Sequence, residues 1–436
     1  MLQKGSKKLI NAWAFYDWAN SVYSLVISTA VFPIYYSTLT ESFSNVEGKI
    51  SFIGTLWTPT TLYNYTLALS FLMVAFISPF LSGIADYTGN KLKFLKAFCL
   101  IGSLSVMSLF FFVGKDTLWV GLVFTIFASI GFWGSIVFYN SYLPEVAFPE
   151  QQDKVSAKGF IYGYTGSILL LLFNLVMIMK PAWFGFADSS MPTRLTFLLV
   201  GIWWLGFAQI TFKRLPNNVY NKKPEKDYIW KGFRELKIVY HDLVNYPQLK
   251  IFLSSFFLFS LGVQTIILMA AVFGSKELGL PTTNLIATIL LVQIVAIFGA
   301  YIFSRLSHKV GNLPTLKITI AVWCIVCFMA YLLDKDQKNI EIYFYTLGGL
   351  IGLVMGAIQS LSRSTYSKLL PETEDHATYF SFYDVTEKMA IVFGMIVFGF
   401  LNSVTNSMQL SVLFLAIFFF TSFIVLSYVK KTKYVH

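Results

Sequence analysis

The sequence predicts an all-α integral membrane protein, with twelve transmembrane helices arranged as two pseudo-symmetric six-helix bundles. Three observations lead there. Of 436 residues, 56% are hydrophobic and 13% charged, whereas soluble domains run at about 25% charged. The apolar share, ~244 residues, fills roughly twelve spans of about 20 residues each, which leaves no room for a large soluble catalytic domain. A long basic connection near the middle of the chain then divides the apolar runs into two sets of six.

Long apolar runs between polar breaks place the spans at 10–38, 62–85, 94–113, 118–140, 159–180, 195–213, 250–274, 284–304, 316–333, 342–366, 380–402 and 409–429. Each is long enough to cross about 30 Å of hydrocarbon. The first run is too long for the core of a cleavable signal peptide and contains Asp17.

The net charge of +11 sits in short connections between apolar runs rather than in a nucleic-acid-binding patch. With the amino terminus cytoplasmic, cytoplasmic segments carry about 25 of the 33 Lys and Arg residues and the opposite segments about seven. Both termini are therefore expected to face the cytoplasm, in the inner (cytoplasmic) membrane.

The domain organisation read from this pattern is a first bundle over 1–213, a linker over 214–249 and a second bundle over 250–436. In the linker, Ile229, Phe233, Leu236, Tyr240 and Leu243 recur at three- and four-residue spacing, with Lys231, Arg234 and Lys237 around the other side. That is the pattern of an amphipathic helix lying on the anionic leaflet. Its simplest role is a tether.

The two halves resemble each other at corresponding places, as in transporters built by duplication. Ser82 to Lys91 follows the second span and Ser304 to Asn312 the eighth, sharing a Ser and a Gly-Asn at an offset of 222. Leu143-Pro144-Glu145 ends the fourth span and Leu370-Pro371-Glu372 the tenth, at an offset of 227.

The first of these segments reads Gly83-x-x-Asp86-x-x-Gly89-x-Lys91. Gly83 permits close helix approach, Gly89 a turn with positive φ, and Asp86 can cap a helix N-terminus. In a twelve-span chain this resembles the loop motif of the major facilitator superfamily. That resemblance implies that Asp86 braces the cytoplasmic face against the eleventh helix, as a conformational latch. The second-half copy has His308 at the Asp position.

Four further stretches narrow the resemblance: Tyr16-Asp17-Trp18-Ala19-Asn20-Ser21, Asn140-Ser141-Tyr142-Leu143-Pro144-Glu145, Gln359-Ser360-Leu361-Ser362-Arg363-Ser364, and Phe382-Tyr383-Asp384 through Lys388. Together they look like the vacuolar amino-acid effluxer family of autophagy and its bacterial relatives. The resemblance implies secondary transport, with amino acids as the family's best-supported cargo.

An ionisable group in a span costs about 2.5–3.5 kcal/mol on translocon scales and usually faces protein or a wet cavity. Asp17, Asn20, Ser21, Ser24 and Ser28 fall on one face of a regular helix. Gln359, Arg363 and Ser367 form a similar stripe in the tenth span. Arg363 can either snorkel or bind a carboxylate with its fork of donors. Asp17, Asn20, Ser24, Asn140, Gln264, Gln359 and Arg363 are thus the candidates for a substrate or ion cavity, and Asn174 either lines it or joins helices. Asp17 and Arg363 belong to opposite halves and are expected to meet, directly or through neighbours, in one closed state. The gating candidates are Gly83, Asp86, Gly89, Lys91, Asp384, Glu387 and Lys388. Of these, Asp384 and Lys388 are four apart and so are expected to pair, near the start of the span. Glu145 and Glu372 read as caps or hinges.

Phe110-Phe111-Phe112 and Phe418-Phe419-Phe420 read as lipid-facing, and many Tyr and Trp as interfacial anchors. Cys99, Cys324 and Cys327 read as buried structural thiols, because the last two lack the second ligand pair of a zinc site. No cofactor or metal is implied. With no phosphate-cradling loop, an ion gradient is the expected energy source, with protons carried by Asp17 or Glu387. The expected partners are a small solute and the bilayer, with no nucleic acid, and the expected state is a monomer. The alternatives are a polytopic enzyme acting on lipid-linked substrates, a sugar or peptide carrier of the same fold, and a channel or sensor. The four scattered histidines and the absence of H-E-x-x-H or G-x-S-x-G argue against the enzyme.

Overall fold

Hydropathy and helix length reappear directly in the architecture. The computed structural model describes residues 2–217, 234, 237–241, 245–430 and 435. Among them are twelve helices long and apolar enough to span a membrane: α1 Lys7–Glu41, α2 Pro59–Thr88, α3 Lys91–Phe111, α4 Lys115–Val146, α5 Pro149–Met179, α6 Ser190–Phe212, α7 Pro247–Lys276, α8 Thr282–Val310, α9 Asn312–Leu332, α10 Ile340–Leu369, α11 His376–Thr405 and α12 Met408–Ser427. Most overrun the expected limits by a turn or two, because the polar residues flanking each apolar run continue the helix beyond the hydrocarbon. An even number of crossings puts both termini on one face, here called the terminal face.

Caps and turns follow local chemistry. Thr58 accepts a hydrogen bond from the backbone amide of Thr61 at the start of α2, and Ser407 from that of Leu410 at the start of α12. On the opposite face, strands β1 (Ile50–Phe52) and β2 (Thr55–Trp57) form an antiparallel hairpin with Ile50 paired to Trp57. Ile53 and Gly54 turn it with φ of 50° and 72°, the two positive values a tight primed turn needs.

One departure from helical regularity matters for function. Residues Tyr23–Val31 of α1 form a π-helix, whose wider turn slips the register. The polar stripe expected from Asp17 to Ser28 is therefore broken. Ser24 is exposed, and Ser28 turns to a small cavity lined by Tyr23, Tyr63 and Leu109 within the first bundle.

The two hydrophobic cores follow the two halves of the chain. One centres on Trp13, Tyr16, Phe138 and Trp204, the other on Phe252, Trp323, Tyr366 and Phe419. The Phe triplets do not face lipid as units. Phe111 and Phe420 are exposed, but Phe112 and Phe419 are fully buried, and Phe419 stacks on Trp323 at 5.7 Å. Three consecutive residues fan over about 200° of a helix, so they cannot all share the lipid-facing side. Cys99 and Cys327 are buried free thiols, and Cys324 is half-buried.

Close packing between α8 and α10 uses small residues that the hydropathy reading passed over. Gly348, Gly352 and Gly356 lie against Thr288, Val292 and Ala296, so near that a Cβ on Gly356 would sit 2.2 Å from the Ala296 carbonyl oxygen. In a membrane, where lipid is as apolar as leucine, such backbone proximity is a main source of helix association. In α5, Gly159 and Gly163 likewise make room for Asp17 and Ser21 of α1.

In the linker, the expected apolar positions Ile229, Phe233, Leu236 and Leu243, with Lys231, lie outside the described residues. In the described turn 237–241, Val239 is buried against the second core while Tyr240 is exposed.

Candidate functional site

The interface between the two halves carries three polar clusters, the second of them with a pseudo-symmetric counterpart, and most of the candidate residues fall into one of them. The first joins α1, α4, α5 and α10. Asp17 lies ten residues into α1, about 15 Å along its axis, and Arg363 lies six residues before the end of α10. Both Nη atoms of Arg363 stand 3.4 Å from Asp17 Oδ2, which also accepts the Tyr139 hydroxyl at 2.7 Å. Arg363 Nη1 donates to Asn140 Oδ1 at 3.1 Å, Nη2 to the Ser156 carbonyl at 2.8 Å and Nε to Ser156 Oγ at 2.9 Å.

The guanidinium is enclosed by Phe160 at 4.3 Å and Trp13 at 4.9 Å from their ring centres. Arg363 is 3% exposed and Asp17 7%, so the arginine does not snorkel. Every donor direction of the fork is used, which is what allows a guanidinium to stay charged away from water. Nearby, Tyr164 of α5 donates to Gln359 Oε1 of α10 at 2.8 Å. Asn20 is buried beside this network but bonds only Ser21, and its Nδ2 has no partner. Both polar side-chain atoms of buried Asn174 are also unpartnered.

The second cluster lies at the terminal face, where Asp86 of α2 caps the N-terminus of α11. Its Oδ2 accepts the Thr378 amide at 2.6 Å and its Oδ1 the Ala377 amide at 3.2 Å. Lys91 Nζ stands 3.5 Å from Asp86 and also binds Glu145, which reaches His376 Nδ1 at 3.4 Å. Gly89 ends α2 with φ of 68°, and Gly83 is buried in the same helix. Glu145 is thus an ion-pair partner rather than a hinge, whereas Glu372 is exposed.

A pseudo-symmetric counterpart, absent from the sequence reading, centres on Asp153 at the start of α5. Asp153 Oδ2 accepts from Ser307 Oγ and Lys368 Nζ, both at 2.8 Å, and Oδ1 from Asn312 Nδ2 at 2.8 Å. His308, at the position equivalent to Asp86, is exposed. The second copy keeps the bridge between halves but moves the carboxylate to the opposite side of it. The degraded motif hid this, because the acid belongs to the other bundle.

Breaking a buried ion pair from one side costs about 3–5 kcal/mol, because the remaining charge stays buried. Asp153→Ala, which strands Lys368, is therefore expected to lower the melting midpoint of the purified protein. Asp153→Ala with Lys368→Met should recover much of the loss, and equal midpoints for the single and double variants would refute an energetic bridge.

The third cluster sits deeper, on α11, because that helix begins at His376 rather than near residue 380. Asp384 is thus two turns in, beyond the first-turn dipole. Lys388 Nζ binds Asp384 Oδ1 at 2.8 Å and approaches Glu387 at 3.5 Å. Gln264 of α7 donates to Glu387 Oε1 at 2.9 Å. Lys388 also stands 3.6 Å from the centre of the Trp133 ring on α4, a contact across the halves.

Comparison with known proteins agrees with this architecture. The family model described as "Vacuole effluxer Atg22 like" matches residues 5–434. An uncharacterized MFS-type transporter of Bacillus subtilis, YxiO, is 32% identical over 433 residues, covering 99% of this chain and 96% of that protein. The outward conformation of the transporter FucP superposes with a TM-score of 0.69 at 10% identity, covering 98% of each chain. The proton:xylose symporter XylE gives 0.70 at 14% identity, covering 98% of this chain and 96% of that one.

Proposed function

Because this chain belongs to the Atg22-like family of major facilitator transporters, and is a transporter rather than an enzyme, we propose that it moves a small amino-acid-like solute across the cytoplasmic membrane by alternating access coupled to protons. The observation that carries this reading is the Asp17–Arg363 contact. Two opposite charges from different bundles, each over nine-tenths buried, meet within the terminal half of the membrane. Opening that face must separate them, and neither charge tolerates separation without a replacement partner.

With the terminal face taken as cytoplasmic, as the positive-inside rule predicts, the Asp17, Asp86 and Asp153 clusters tie the bundles together on that side. Solute entering from the far side, together with a proton on Asp17, loosens the Arg363 fork and lets the bundles rock. The carboxylate of an amino acid offers Arg363 the bidentate partner it then lacks.

In proteoliposomes, Asp17→Asn is expected to abolish accumulation driven by a pH gradient while leaving counterflow exchange partly intact. Undiminished accumulation by Asp17→Asn would remove Asp17 as the coupling group.

A further inference from the structure

The α11 cluster has a charge imbalance that the gating reading leaves unexplained. Two carboxylates, Asp384 and Glu387, share one ammonium, Lys388. Among the described residues no second cation pairs with them. One net negative charge is left about 12–17 Å along α11 from His376, towards the membrane midplane, where an uncompensated charge is costly. Asp384 Oδ2 is fully buried and has no hydrogen-bond partner, so a donor is missing from the site. Glu387 keeps 17% of its side chain accessible, so a solute reaches that carboxylate first.

We propose that this cluster is a solute-binding site for an ammonium group, held by Glu387 with Gln264 beside it. The proposal rests on the carrier reading above and adds to it the residues that take the solute's free, protonated amine. The exchange of partners runs as a substitution. The incoming ammonium takes the Glu387 carboxylate, and Lys388 moves fully onto Asp384, supplying the donor that Oδ2 lacks. In doing so Lys388 leaves the face of Trp133, a cation–π contact that ties α11 to α4. Solute binding thereby releases one tie between the bundles.

The test is a thermal-shift series on the purified full-length protein at fixed pH. The probes are amino acids, each matched with its decarboxylated amine and its N-acetyl derivative. Stabilisation is expected from at least one amino acid or amine, and N-acetylation should remove it. Glu387→Gln is expected to weaken that binding at least tenfold while keeping the unliganded melting midpoint. Should Glu387→Gln not fold, Gln264→Ala serves instead, with a smaller loss. The proposal is overturned if the N-acetyl forms bind equally well, if both variants bind like the parent chain, or if no amine-bearing probe binds. Saturable flux in proteoliposomes that is indifferent to N-acetylation would leave the carrier standing and remove this site. Absence of saturable flux for every solute would instead remove the carrier reading.

Discussion

Asp17→Ala and Arg363→Met are each expected to cripple transport, and the double variant to lose far less than the sum of the two. Each single change leaves one charge buried without its partner, at about 3–5 kcal/mol, or roughly two to four orders of magnitude in the population of the closed state. Arg363 also loses ring contacts with Trp13 and Phe160, so its replacement costs more than that of Asp17. The double variant carries neither charge. Its melting midpoint should lie above that of Asp17→Ala alone, and the coupling between the sites should exceed 1 kcal/mol in a double-mutant cycle on initial rates. Additive losses would mean that the two groups act independently, and that their contact is not what opening must break.

Gly356→Val should act on folding itself. Its Cβ would stand 2.2 Å from the carbonyl oxygen of Ala296 and 3.0 Å from the carbonyl carbon. Backbone cannot rotate away as a side chain can, so α8 and α10 must part along their whole contact. Overpacking of this kind costs about 1–3 kcal/mol where side chains yield, and more where they cannot. The expected result is a fall in melting midpoint of many degrees, or loss of monodisperse protein. Gly349→Ala, about two turns away on the same helix, meets nothing within 4 Å and should be neutral or stabilising by up to about 1 kcal/mol. Matching behaviour of the two variants would show that the close approach of α8 and α10 carries no energy.

Much of this was legible along the chain because it is local. Twelve apolar runs report twelve helices, since a span must satisfy its own backbone and bury its own side chains in lipid. The Gly83–Lys91 segment has the spacing of a capping acid followed by a turn, and Asp86 accepts the amides of Ala377 and Thr378 at the start of α11. Ionisable residues inside apolar runs drew attention to Asp17, Arg363 and the α11 trio because their cost demands a reason. Asp153 drew none. It sits at the polar start of α5, where an acidic residue needs no partner to be tolerated.

What the amino-acid order alone determined is therefore the number, order and approximate placement of the helices and the charged positions within them, for these depend on hydropathy and a 3.6-residue period within short windows. The tertiary structure decided who meets whom. Asp17 finds Arg363 across 346 positions of chain and Asp153 finds Lys368 across 215, and no short window contains both members of either pair. It also decided the π-turn that displaces Ser24 and Ser28, and the glycine seam between α8 and α10. In each case the cause is a contact energy between distant segments, which only the assembled bundles bring into being.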